Sequence, residues 1–164
     1  MNLQINKITK HNFFKYGQLI STENVKSQDI NNETTQSFYD LVNIEIFGED
    51  KESRVNIFKS IKRTFPLKIN MLENHPLSSQ AFIPLQKTNF IAVVAPISSE
   101  PDIDSIETFL ISPEEGINFK PQVWHFPLIA TENSNYLTID KKDSENNIEI
   151  FNFQNNDKIF LDYE

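Results

Sequence analysis

The chain has 164 residues, enough for one domain that buries ~70% of the surface its unfolded form exposes, and few for two. With 15 basic and 23 acidic residues its formal charge is −8, which repels a polyphosphate over most of the surface and argues against nucleic acid. It has no cysteine, so disulfides, thiolate metal sites and a cysteine nucleophile are excluded. Met1 to Lys7 has no apolar leader pattern, and the longest apolar run, Phe90 to Ala95, is too short to span a bilayer. The expectation is a soluble cytoplasmic protein with no membrane partner.

Leu3 to Ile8 alternates apolar and polar residues as an edge strand would. Thr9 is placed to cap a short helix running to Tyr16, with Gly17 as its stop. Residues 21–37 are polar and predict a long loop. Phe38 to Phe47 returns to apolar patterning, and a charged turn over 48–53 precedes a strand at Val55 and Ile57. Beyond Pro66, alternation at Leu67, Ile69 and Met71 predicts another strand. Phe90 to Ala95 reads as a central strand buried on both faces, closed by Pro96. Asp104 and Glu107 have capping-box spacing, and Ile103, Ile106 and Leu110 have helical spacing, so Pro101 to Leu110 predicts a two-turn helix. Strands are expected at Leu128 to Ala130 and Tyr136 to Asp140 around Asn133, and a last one at Ile148, Ile150 and Phe153. The tail from Asp157 to Glu164 reads as a solvated end or as a strand packed on a partner subunit. Many short strands and only short helices predict an all-β barrel or sandwich over residues 1–164.

The candidate chemistry lies in two stretches. Met71 to Pro84 carries His75 and Gln80 in strand-like surroundings, and Gly116 to Leu128 carries His125 after a Pro121-Gln122-Val123-Trp124 turn. Imidazole and carboxamide can bind a divalent metal or a polar ligand, although a buried histidine more often completes a hydrogen-bonded core. A histidine, a carboxamide five positions on and a turn-borne histidine about fifty residues later have the ligand spacing of a cupin barrel.

The strings Leu72-Glu-Asn-His-Pro-Leu-Ser-Ser-Gln-Ala-Phe-Ile-Pro-Leu85, Gly116-Ile-Asn-Phe119, Val123-Trp-His-Phe-Pro-Leu128 and Tyr136-Leu-Thr-Ile-Asp140, with Ile30-Asn-Asn and Asp40-Leu41, resemble the ureidoglycolate lyase family from about Leu3 to Ile150. The resemblance implies a cupin-like (RmlC-like) β-barrel, a homodimer, that splits ureidoglycolate into glyoxylate and urea in purine and allantoin catabolism. It also implies a divalent metal, Ni or Mn, as a possible cofactor. On this reading His75, Gln80 and His125 form the central polar cluster. They ligate the metal if one is bound, and otherwise His125 is the acid or base. Lys120, Lys59, Lys141, Asn118 and Trp124 are the candidates for holding a small carboxylate or ureido substrate.

Several positions depart from the family pattern. Ser37 and Tyr39 stand for Arg and His, Asn74 for Arg, and Lys120 and Phe126 for His, while Lys59 and Lys141 stand for Arg. Lysine keeps the charge without the bidentate fork, whereas Ser37, Asn74 and Phe126 remove charge or a proton carrier. The alternative is therefore a diverged cupin that acts on, or only binds, a different small carboxylate or ureido compound. Trp124 is more often core than pocket wall. Asp40 and Asp140 could orient imidazoles but more often satisfy turn amides, and His11 is expected to be exposed.

Overall fold

The computed structural model describes residues 1–142, 147–154 and 156–164. It opens with strands β1 (Asn2–Leu3) and β2 (Ile5–Lys7), helix α1 (Lys10–Phe13) and β3 (Gly17–Ile20). A hairpin of β4 (Gln28–Ile30) and β5 (Thr35–Ser37) precedes the long strand β6 (Ser53–Ser60). Then come β7 (Leu67–Lys68), β8 (Met71–Asn74), β9 (Gln80–Pro84), β10 (Phe90–Ala95), β11 (Glu107–Ile111), β12 (Gly116–Phe119) and β13 (Trp124–His125). The last four are β14 (Ile129–Ala130), β15 (Ser134–Lys141), β16 (Glu149–Asn152) and β17 (Phe160–Leu161).

The strand pairing is that of a jelly roll. β10 pairs antiparallel with β11, β9 with β12 and β8 with β13, so three pairs nest about the β10–β11 turn like one long hairpin. Rolling that hairpin sends alternate strands to opposite sheets, as in the cupins. β8, β10, β11 and β13 fall in a seven-stranded sheet in the order β16-β8-β13-β10-β11-β2, with β14 also on β10. β9 and β12 fall in a five-stranded sheet, β3-β12-β9-β15-β6.

This layering explains why Phe90–Ala95 is apolar without alternation. Phe90, Ala92 and Val94 face the other sheet, in a core with Phe13, Tyr16, Phe82, Ile117, Phe119 and Tyr136. Ile91, Val93 and Ala95 face outward into a second core with Ile69, Leu72, Trp124, Ile129 and Leu161. That core is closed by the small sheet β1-β17-β7. At about 25 cal/mol per Å2 of apolar surface buried, a strand wrapped on both faces holds the two layers together.

Four expectations require correction. The 101–110 helix is absent. Only one 3-10 turn, Ile103–Ser105, forms with Asp102 capping Asp104 N, and Glu107–Ile111 is a strand registered along β10 from Val94↔Glu107 to Phe90↔Ile111. A helix there would leave the backbone groups along that side of the central strand unpaired, a penalty that outweighs local propensity. Helix α1 is one turn long. Thr9 and Asn12 cap it reciprocally, as the Thr9 expectation requires, but Gly17 starts β3 instead of stopping a helix. The 21–37 loop contains the β4–β5 hairpin, turned by positive φ at Asn31, Asn32 and Glu33. The acidic tail forms a strand within its own chain, with Ile159 and Leu161 buried and Asp162 and Glu164 exposed: β17 runs parallel to β1 and antiparallel to β7.

Candidate metal centre

Alternation along β8 places Glu73 and His75 on one face, while Leu72 and Asn74 take the other. Across the ladder His125 stands opposite Glu73, on the face that looks into the inner core. Three side chains, from β8, the residue just past its end and β13, therefore converge. The His75 and His125 rings are 5.3 Å apart, the His125 Nε2 lies 3.8 Å from Glu73 Oε1, and candidate donor atoms of the three residues lie within 4.8 Å of one another. Phe119 stacks on His125 at 4.3 Å and 13°.

The hydrogen bonds fix which nitrogen faces inward. His75 Nδ1 donates to the Asn147 carbonyl at 2.7 Å, and His125 Nδ1 donates to the Val123 carbonyl at 2.9 Å. A carbonyl only accepts, so both Nδ1 atoms carry the proton. In the neutral rings both Nε2 atoms then hold lone pairs. Both are buried, and neither has a hydrogen-bond partner among the described residues. Burial, with His75 adding to it and the Val123 carbonyl opposing, pushes His125 down to about 3, so it is neutral at neutral pH. Its approach to Glu73 is therefore not an ion pair at that pH. Burial raises the Glu73 carboxyl, partly offset by the neighbouring His75.

This donor set fits a divalent cation. Two imidazole lone pairs and a carboxylate, with the outer nitrogens tied to backbone carbonyls, are the usual support of a metal ligand sphere. Gln80 adds to it: opposite Phe119 in the ladder, it shares the inward face, and its buried Oε1 has no hydrogen-bond partner among the described residues. Glu73 is the residue the motif reading missed. Its signal was the two-residue spacing to His75 within a strand.

The other expected site residues lie elsewhere, for reasons of strand parity. Asn118, Lys141 and Lys59 point to the outer face of the five-stranded sheet. There Asn118 Nδ2 donates to the Asn43 carbonyl at 2.8 Å and Lys141 Nζ to the Asp50 carbonyl, while Lys59 borders a separate depression with Gln86 and Asn133. Trp124 lies on the opposite face of β13 from His125, in the outer core, with Nε1 donating to the Ser98 carbonyl at 3.0 Å. The core reading of Trp124 is the one that holds. Lys120 Nζ donates to the Phe14 carbonyl and lies 4.3 Å from the centre of the Phe14 ring. Asp140 binds Arg54 at 2.7 Å and no imidazole. Among the departures, Asn74 faces away from Glu73 and His75 and donates to Glu149, and Phe126 packs in the outer core. A depression of about 680 Å3 beside α1 also lies away from the imidazoles.

A jelly-roll barrel with two histidines and a carboxylate converging inside defines a cupin-like protein whose interior carries a group able to hold a metal ion. The family model described as "Ureidoglycolate lyase" matches residues 1–160. The chain is 35% identical over 161 residues to the ureidoglycolate lyase of Pseudomonas paraeruginosa, covering 98% of this chain and 95% of that one. It is 40% identical over 140 residues to that of Burkholderia mallei, covering 85% and 82%, and 38% identical over 152 residues to that of Brucella anthropi, covering 92% and 89%. Among solved structures, a dTDP sugar isomerase from Desulfovibrio desulfuricans aligns with a TM-score of 0.42 and 13% identity over 85% of each chain. The chain belongs to the ureidoglycolate lyase family.

Proposed function

We propose that this protein splits ureidoglycolate into glyoxylate and urea, using a divalent cation, Ni²⁺ or Mn²⁺, held by Glu73, His75 and His125 with Gln80 beside them. The observation that carries the reading is the convergence of the three donors inside a chain related over its full length to ureidoglycolate lyases. When bound, the cation supplies Lewis acidity to the substrate hydroxyl and carboxylate oxygens. The chain does the rest. Glu73, its side chain only 18% exposed and its proton affinity raised by burial, would help hold the cation with His75 and His125 and accept the hydroxyl proton. The C–O bond becomes a carbonyl, the C–N bond breaks with its electron pair passing to the urea nitrogen, and Glu73 returns the proton there. His125 is too reluctant to take a proton to share that task, which favours a ligand role over the acid/base role of a metal-free site. Incubation of the purified protein with racemic ureidoglycolate tests the reading: glyoxylate and urea should appear in equal amounts. Folded, metal-loaded protein that releases neither would favour the alternative, a diverged cupin for another small carboxylate.

A homodimer is part of the same proposal. The outer face of the five-stranded sheet carries two apolar rows in register, Val55–Ile139–Ala81 and Ile57–Leu137–Ile83, with Val55 and Ile57 more than half exposed. A contiguous apolar patch on a sheet face is the kind of surface that a second copy covers.

A further inference from the structure

Residues 61–70 border a depression of about 440 Å3 whose polar lining includes Lys62, Arg63, Thr64, Lys68 and Asn70, with Phe126 beside them. Among the described residues no acidic one lines it, although the chain as a whole is strongly acidic. Several cations elsewhere are tied up locally. Lys15, Arg54, Lys87 and Lys142 pair with carboxylates, and Lys120 and Lys141 donate to backbone carbonyls. Lys62, Arg63 and Lys68 form no ion pair among the described residues, and Lys62 and Lys68 are exposed. The larger depression beside α1 shows the contrast, since Lys7 and Lys10 there share the lining with Glu23, Glu114 and Glu115.

The backbone that carries Lys62 and Arg63 is also held in place. Lys62 N donates to Asn133 Oδ1 at 2.9 Å and Arg63 N to the Ala130 carbonyl at 3.0 Å, so the segment is tied to the barrel on both sides of the β14–β15 turn. The Arg63 guanidinium lies 5.8 Å from the centre of the Phe126 ring, which orients its planar fork without using it up on a carboxylate. Three cations with no ion pair among the described residues, on one concave surface, would focus a positive potential there. We propose that this depression binds a small oxyanion, a phosphate or a carboxylate, at Arg63 with Lys62 and Lys68. The site is separate from the metal centre, because Phe126 packs in the outer core while His125 faces the inner one.

The test is titration of inorganic phosphate, and separately of acetate, into the full chain at constant ionic strength held with chloride. Calorimetry and the fluorescence of Trp124, the only tryptophan and two residues from Phe126, read the binding. Saturable one-site binding of at least one anion is expected, and the arm that saturates identifies the chemistry. Its Kd should rise about tenfold or more in both Arg63→Gln and the exposed pair Lys62→Gln/Lys68→Gln, and stay unchanged in His75→Ala. The exposed pair leaves the Arg63–Phe126 contact in place, so a folding defect in Arg63→Gln does not blunt the test. Absence of saturation with either anion, binding that survives the paired lysine variant, or loss in His75→Ala would overturn the proposal.

Discussion

At the scale of residues, two imidazole lone pairs and a carboxylate facing one another repel unless a proton or a cation lies between them. His75→Ala, His125→Ala and Glu73→Gln should each abolish stoichiometric metal binding and lower turnover by at least ~100-fold, while circular dichroism stays native. Near-normal turnover in all three would remove the assignment. Titration gives a second check. The folded chain resists protonating His125 down to about 3, but an unfolded histidine takes its proton near 6.5, so between those values the unfolded state binds more protons. The His125 contribution to stability is thus complete above about 6.5 and is lost as pH falls toward 3. The raised Glu73 carboxyl has the opposite sign, favouring the folded state on the acid side. Urea unfolding of chelated protein across pH 4–7 should lose stability with acidification more steeply in wild type than in His125→Phe. Equal slopes would mean that His125 is not buried as a neutral ring.

At the scale of elements, close approach decides what local propensity does not. A Cβ on Gly17 would lie 2.2 Å from the Asn118 carbonyl oxygen, which is why β3 can lie against β12 only with glycine there. Gly17→Ala should cost about 1–3 kcal/mol or more by chemical denaturation, against about 1 kcal/mol for removing the Thr9 cap in Thr9→Ala. A neutral Gly17→Ala would show that the two strands can separate freely. The same contrast marks what was legible. Thr9 as a cap and Phe90–Ala95 as a doubly buried strand could be read from sequence because each signal is local. The 103–110 stretch could not, since Ile103, Ile106 and Leu110 fit a helix equally well and only the pairing need of β10 decides for a strand. At the site, spacing pointed to His75, Gln80 and His125. Asn118, Lys141 and Lys59 lie on the outer face of the five-stranded sheet, which family position cannot reveal, since one residue's shift moves a side chain from the barrel interior to its outer face.

For the whole molecule, a jelly roll buries one face of each sheet and leaves the other to be covered. The seven-stranded sheet is covered by the small sheet in which β1 and β17, from the two ends of the chain, join β7. The five-stranded sheet keeps the apolar rows at Val55 and Ile57 exposed. Ile57→Lys should convert a dimer into a folded, monomeric species in sedimentation velocity, and a wild-type chain that is monomeric at micromolar concentration would refute the dimer. The central claim, that Glu73, His75 and His125 hold a cation needed for the lyase reaction, is tested most directly by glyoxylate release from ureidoglycolate after chelation and again after Ni²⁺ or Mn²⁺ is restored. The account predicts that turnover falls on chelation and returns with about one metal bound per chain in wild type, and that Glu73→Gln neither binds the metal nor recovers. Full turnover by the chelated protein, with no metal bound, would contradict it.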